Sequence, residues 1–190
     1  MNINFIRVCL FGVKTWWIEN RVEKMSNKCV WLKGKRWEKI SRALKKQHGE
    51  GSGGPWRTIG FYGHPNTSKR LSSWQLMEAL NDQCKMPWLV CGDFNEIIHP
   101  DEKSGGKERD AGQMREFREV LSRCGLSDLG FVGPRFTWCN GRFGDQRTLL
   151  RLDRMVANDE WIKFFPEAKV HHISMSASDH CLLSLHLKKK

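Results

Sequence analysis

From residue 56 onward the chain switches between two apolar periods. "WRTIGFYG" (56–63) and "PWLVCGDFN" (87–95) read as strands, the second an apolar run that halts on an acid and an amide. Asp93 and Asn95 stand two apart at its end, so the strand period points both side chains the same way. Elsewhere the spacing turns helical. "SSWQLMEALND" (72–82) sets Trp74, Met77 and Leu80 on one face behind a Ser cap. "MREFREVLSRCG" (114–125) keeps Met114, Phe117, Leu121 and Cys124 in helical register, with Gly125 as the stop. The polar stretch "HPDEKSGGKERDAGQ" (99–113) is a long loop before that helix. Further on, "PRFTWCNGRFGDQRTLLRLDRMVA" (134–157) reads as two strands joined by a Gly-rich hairpin loop, and Asn158 caps a short helix carrying Trp161, Phe164 and Phe165. Two more strand-like pieces close the chain within 169–190, the last alternating Cys181, Leu183, Leu185 and Leu187 with polar neighbours. Strands alternating with helices predict an α/β or α+β class, with sheets packed under helices.

The first 48 residues have a different texture, rich in Lys, Arg and Trp. "KGKRWEKISRALKKQ" (33–47) reads as a basic amphipathic helix with Trp37, Ile40 and Leu44 on its apolar side, and "GEGSGGP" (49–55) as a flexible break. A Lys/Arg run of this kind is most often a solvated face, and less often a DNA contact or import signal. The apolar stretch "INFIRVCLFGV" (3–13) is interrupted by Arg7, is too short to span a bilayer and lacks a small-residue cleavage site, so neither a membrane anchor nor a signal peptide is expected.

Composition narrows the partner. The 190 residues suit one domain, or one domain plus an appendage, with enough apolar content for a core. Thirty-two Lys and Arg face 21 Asp and Glu, a formal charge of +11, which favours a polyanion such as nucleic acid. Seven Cys without a C-x-x-C pair, several inside apolar runs, indicate a reducing compartment and no zinc ribbon. The expected setting is intracellular, with the nucleus open as the compartment, and no protein partner is evident.

Four polar clusters stand at strand ends: Tyr62 with His64, Asp93 with Asn95, Asp153 in "RLDR", and Asp179 with His180 in "SDH". An acid beside an amide can take a proton from water and fix its direction, and a His paired with an acid can hold its charge against a phosphate oxygen. Each position also has a plainer reading. An Asp or Asn after a strand is commonly a turn former or cap, His180 alone could be a structural histidine, and Asp153 between two arginines could belong to a surface ion network.

In this order, "GFYGHPNTSKRLSSWQL", "PWLVCGDFNEIIHPDEKSGG", "MREFREVLSRCGLSDLGFVGPRFTWCNGR", "RLDRMVANDEWIKFFP" and "SDHCLLSLHL" resemble the endonuclease/exonuclease/phosphatase superfamily, specifically the endonuclease domain of plant LINE-type (non-LTR) retrotransposon proteins. The resemblance covers roughly residues 55–187, with 1–54 set apart as a divergent basic segment. It implies a four-layered α/β sandwich, two packed β-sheets flanked by helices, incomplete on its N-terminal side. It also implies metal-dependent phosphodiester hydrolysis with Mg²⁺, or alternatively Mn²⁺, acting on DNA. By the same resemblance Asp93 is the base that activates water, Asn95 orients it, His180 contacts the scissile phosphate with Asp153 as its orienting partner, Asp179 lies at or beside the metal, and Tyr62 lies near the phosphate or leaving group. Asn66 matches a further polar contact with its spacing off by one, and Phe136 and Trp138 match positions bordering the nucleic-acid groove, though large aromatics on a strand also suit a core.

The family's early strands carry an Asn in a "WN" motif and a Glu that is the principal metal ligand. Before Gly51 neither is found: "RVCLFGV" and "KCVWLKG" hold no such Asn, and Glu19, Glu23, Glu38 and Glu50 lack an apolar strand context. The expectation is therefore a Mg²⁺-dependent DNA-nicking domain whose metal ligand is missing. The alternatives are a catalytically dead nucleic-acid-binding remnant and a phosphatase of the same superfamily.

Overall fold

The computed structural model describes residues 3–11, 15–20, 30–31, 56–83 and 85–188. The basic helix expected over 33–47, with Trp37, Ile40 and Leu44, and the break at 49–55 lie outside them. Strands β1 (Ile3–Phe11), β2 (Thr15–Asn20) and β3 (Val30–Trp31) precede β4 (Arg57–Tyr62), helix α1 (Leu71–Gln83) and β5 (Trp88–Asp93). After these come β6 (Lys103–Ser104), α2 (Ala111–Arg123), β7 (Leu126–Asp128), β8 (Trp138–Cys139) and β9 (Leu149–Leu150). The chain continues through β10 (Asp153–Asn158), α3 (Asp159–Phe164), β11 (Lys169–Ile173) and β12 (Leu182–Lys188).

They assemble as a five-stranded sheet in the order β3-β4-β5-β10-β7, a four-stranded sheet β11-β12-β1-β2, and a small sheet β6-β9-β8. The expected mixed α/β architecture of packed sheets and flanking helices is present. β5 explains why its sequence is apolar up to Asp93: all six residues are buried, as a central strand covered on both faces requires. Trp88 and Val90 join Ile59, Phe61 and Val156 under α1 and α2, where they meet Trp74, Met77, Leu80, Phe117 and Val120. Leu89 and Cys91 face the other way and pack, with Met155 and Ala157, against Val170, Leu183, Leu185 and Leu187 of the four-stranded sheet. The strand period of two thus divides one run between two cores.

The helix core is largely aromatic. Trp74 stacks on Phe117 with centroids 4.7 Å apart, and Phe94 lies 5.0 Å from Phe61 and 5.3 Å from Phe117. Phe94 sits between Asp93 and Asn95, so this packing anchors the turn that presents them. Each such pair adds about 0.5–1.5 kcal/mol beyond its buried area.

Helix ends follow local chemistry. Asp110 caps α2 through the N–H of Gln113 at 2.9 Å, Gly125 follows its end at φ +61°, and Asn158 caps α3 through the N–H of Trp161 at 3.2 Å. α1 differs from expectation, because Leu71 opens it and both serines lie inside its first turn. Ser72 Oγ donates to the carbonyl of Lys69, and Ser73 Oγ accepts the N–H of His64, which ties the loop after β4 to the helix. The expected two-strand hairpin over 134–157 is three strands: β8 and β9 pair in the small sheet, and the chain then crosses into the large sheet as β10.

β1 and β2 place backbone from the first 20 residues beside β12, pairing Ile3 with Lys188 through Val8 with Leu183, and Arg7 with Glu19. Glu19 therefore does lie on a strand. Among the described residues no helix is long and apolar enough to cross a membrane.

Candidate active site

Tyr62 ends β4, Asp93 ends β5 and Asp153 opens β10. Register pairs Tyr62 with Asp93 in parallel and Asp153 with Asp93 antiparallel, so three reactive side chains stand at one level, about 4.8 Å per strand apart. Two glycines permit the close approach of the backbone here. A Cβ on Gly92 (φ +151°) would sit 1.9 Å from the carbonyl oxygen of Phe61, and one on Gly63 would sit 2.1 Å from that of Phe94.

Asn95 has φ +57°, and no other described non-glycine residue has a positive φ. That conformation costs on the order of 1 kcal/mol and is tolerated best by Asn, Asp and Gly. Its hydrogen bonds offset the cost. The Asn95 N–H donates to Asp93 Oδ1 at 2.8 Å, and Nδ2 donates to Asp93 Oδ2 at 2.9 Å and to the carbonyl of Gly63 at 2.9 Å. Both carboxylate oxygens are thus held by one residue.

Asp153 is fully buried, and its Oδ2 meets His180 Nδ1 at 2.8 Å. Thr137 fixes both partners. Its Oγ1 accepts the N–H groups of Leu152 and Asp153 at 3.0 and 2.9 Å, while its carbonyl accepts the N–H of Cys181 at 2.7 Å. One Thr therefore ties the strand that bears Asp153 to the segment that bears His180. A second tie is Trp138, which bridges His180 across a β-bridge and donates its indole N–H to Asp179 Oδ2 at 3.1 Å.

Burial and the neighbouring Asp153 raise Asp93 from 3.8 to about 7, against the lowering effect of His180 and the Asn95 bonds. For His180, burial disfavours the charged form, but the bond and charge of Asp153, with Asp93 and Asp179, reverse this and lift it from 6.5 to about 9. Burial, then Asp93, raises the Tyr62 phenol. At neutral pH the site holds a carboxyl poised to exchange a proton beside an imidazolium. Such pairs are what acid–base chemistry uses.

Of the sequence-predicted residues, Tyr62, Asp93, Asn95, Asp153 and His180 converge, and Asp179 stands exposed at the rim beside Trp138. Asn66 does not join them. Its Oδ1 caps the turn at Thr67–Lys69 through Ser68 N at 3.0 Å, the plainer use of an Asn after a strand. The two arginines flanking Asp153 form an ion network that is buried and leaves Asp153 out: Arg151 and Arg154 each bridge Glu102 and Asp128 at 2.8 Å.

Asp93 spends both oxygens on Asn95, Asp153 keeps a buried Oδ1 without a hydrogen-bond partner, and Asp179 accepts from Trp138. Among the described residues no three His, Cys, Asp or Glu side chains are grouped to hold a metal ion. By themselves these residues do not fit the metal that the resemblance implies.

The model of the endonuclease/exonuclease/phosphatase family matches residues 4–180, beginning within β1. No curated protein matches the chain. Among solved structures, a 3′-5′ exonuclease (NExo) from Neisseria meningitidis is similar at 17% identity and TM-score 0.52, over 70% of this chain and 61% of that one. An AP endonuclease from Archaeoglobus fulgidus is similar at 17% identity and TM-score 0.52, over 70% and 62%. The endonuclease domain of TRAS1, a telomere-specific non-LTR retrotransposon, is similar at 16% identity and TM-score 0.49, over 67% and 54%. The chain thus spans between 54% and 62% of the length of these structures. With the family model covering most of its length, the chain belongs to the endonuclease/exonuclease/phosphatase family.

Proposed function

We propose that the chain hydrolyses phosphodiester bonds in DNA as the nicking domain of a retrotransposon-derived protein. The observation that carries this reading is the Asp93–Asn95 pair set level with Asp153, whose partner His180 is held charged. Asp93 takes a proton from water as the water oxygen bonds to phosphorus. His180, charged and oriented through Nδ1 by Asp153, offers its other N–H to a non-bridging phosphate oxygen. The bond from phosphorus to the departing sugar oxygen breaks, that oxygen takes a proton from solvent water, and Asp93 returns to solvent the proton it accepted. Asn95 fixes the carboxylate that does the first step, and Tyr62 lines the side from which phosphate arrives. The retrotransposon setting rests on the sequence resemblance. Mg²⁺ or Mn²⁺ is the cofactor that the resemblance implies.

The test is nicking of supercoiled plasmid with Mg²⁺, with Mn²⁺ and with EDTA. Cleavage should require a divalent cation and be lost in His180→Ala. Nicking that persists in that variant refutes the assignment. Rate against pH should be bell-shaped, because Asp93 must lose its proton as pH rises through about 7 and His180 must keep its own until about 9. A rate that continues to rise beyond pH 9 removes His180⁺ from the mechanism. Salt-sensitive DNA binding with no cleavage in either cation would instead assign a binding remnant, the second reading, which the lack of a metal-holding trio among the described residues favours.

DNA should be gripped beside the site. The loop between β8 and β9 carries Phe143, 89% exposed, between Arg142 and Arg147, and it leaves the same short strand whose Trp138 meets Asp179. An exposed aromatic flanked by cations suits stacking on an unpaired base, which is worth about 1–3 kcal/mol. Phe143→Ala should weaken binding of a single-stranded oligonucleotide by about fivefold or more at fixed salt, measured by fluorescence anisotropy, without changing the melting temperature.

A further inference from the structure

The residue after Asn95 is a fully buried acid, Glu96. Two arginines reach it from separate loops. Arg70, just before α1, forms an ion pair through Nη1, and Arg109, ahead of α2, lies 3.6 Å away through Nε. Glu96 Oε1 also accepts the N–H of Ile97 at 2.9 Å. Taking a carboxylate and a guanidinium out of water is costly, so the arrangement is a weak source of stability and a firm source of geometry.

The guanidiniums continue past Glu96 to backbone at the site. Arg70 donates from Nε to the carbonyl of His64 and from Nη2 to that of Pro65, both at 3.3 Å. Arg109 donates from Nη2 to the carbonyl of Asn95 at 3.4 Å. One end of the clasp thus grips the loop that follows Tyr62 and Gly63, and the other grips Asn95. Asn95 closes the circle by donating to Gly63 and to Asp93, each at 2.9 Å.

We propose that Glu96 is a positioning residue: through Arg70 and Arg109 it holds Asn95 in its left-handed conformation, with the side-chain amide aimed at Asp93. This rests on the reading of Asp93 and Asn95 as the pair that handles water. Single bonds of 3.3–3.4 Å are individually modest, so several convergent contacts match the task of holding a left-handed Asn95. The clasp is built from protein groups alone, with no bond that waits on substrate, which suits precise positioning of a reacting group.

The experiment compares the folded Glu96→Gln and Arg109→Gln proteins with the original, reading the NMR signals of the Asn95 side-chain NH₂ and the kinetics of plasmid nicking. The Asn95 signals should move in both variants, with kcat lowered about tenfold and KM within about twofold. Signals that stay in place in a folded variant overturn the proposal, as does a raised KM with unchanged kcat. Should Glu96→Gln fail to fold, Arg109→Gln decides alone, since Arg109 is 22% exposed and its loss strands less buried charge. If the original protein does not cleave DNA, the functional reading fails, and the NMR comparison still decides whether Glu96 sets Asn95.

Discussion

Asp93→Asn is expected to lower plasmid nicking by about a thousandfold and, at pH 8, to raise the melting temperature by several degrees. The loss of rate follows from removing the group that accepts the proton of water. The gain in stability follows from the same burial. Asp93 is 5% exposed, and its folded pKa of about 7 stands well above the ordinary 3.8. In that window the folded protein retains a proton the unfolded chain has released. Stability therefore falls as pH rises from 3.8 to about 7, and the whole penalty persists at higher pH. At about 1.36 kcal/mol per unit, the upper bound is about 4 kcal/mol. An uncharged amide escapes that penalty but can accept only one of the two Asn95 bonds, which returns about 1 kcal/mol. Melts at pH 5 and pH 8 check the sign: the advantage of the variant should be large at pH 8 and shrink at pH 5. A variant that still cleaves, or one whose melting temperature at pH 8 is unchanged, contradicts the account. Stability gained where function is lost is the mark of a strained active site.

The same residues show what the sequence could and could not convey. The run 88–93 ending on Asp93 was legible because a strand buried on both faces has to be apolar along its length and because a polar pair closing such a run marks the turn after it. Asp153 and His180 were legible only as a set in order, since register, which places Asp153 opposite Asp93, is decided by pairing partners far apart in the chain. Thr137 was not legible at all. Its role depends on Oγ1 meeting two N–H groups more than a dozen residues away, and a Thr inside "FTW" gives no local sign of that. Glu96 was hidden for a related reason: following "GDFN" it looks like a loop acid, and only the arrival of Arg70 and Arg109 from separate loops makes it internal. The arginines beside Asp153 were legible as charge and illegible as burial, because a surface network and an internal one share the same letters. Asn66 went the other way, its local cap being a sufficient explanation.

Glu102→Ala is expected to destabilise the fold by about 3–5 kcal/mol, the largest loss of stability among these variants. Arg154 is fully buried, and Arg151 is 8% exposed at its side chain. Each shares its charge between Glu102 and Asp128, closing a ring of four. Burial would lift both acids, but the guanidiniums outweigh it and hold Glu102 and Asp128 below the ordinary carboxylate range. Deleting Glu102 leaves two internal cations on a single acid. An exposed pair sets the contrast: Arg135 and Asp101 meet at 2.6 Å with side chains 52% and 68% exposed, so Arg135→Ala should cost less than about 1 kcal/mol. Urea melts of the two variants give both numbers, and a Glu102→Ala protein within about 1 kcal/mol of the original would show the ring to be dispensable. The ring also reaches the site. Arg154 donates to the carbonyl of Arg151 at 2.9 Å, and Arg151 donates its N–H to the carbonyl of Glu102 at 2.9 Å, so the bend that carries Asp153 is pinned from both sides. Activity in Glu102→Ala should therefore follow the folded fraction and return on cooling, whereas in Asp93→Asn it stays absent at every temperature. That difference separates a residue that builds the bend from one that performs the chemistry on it.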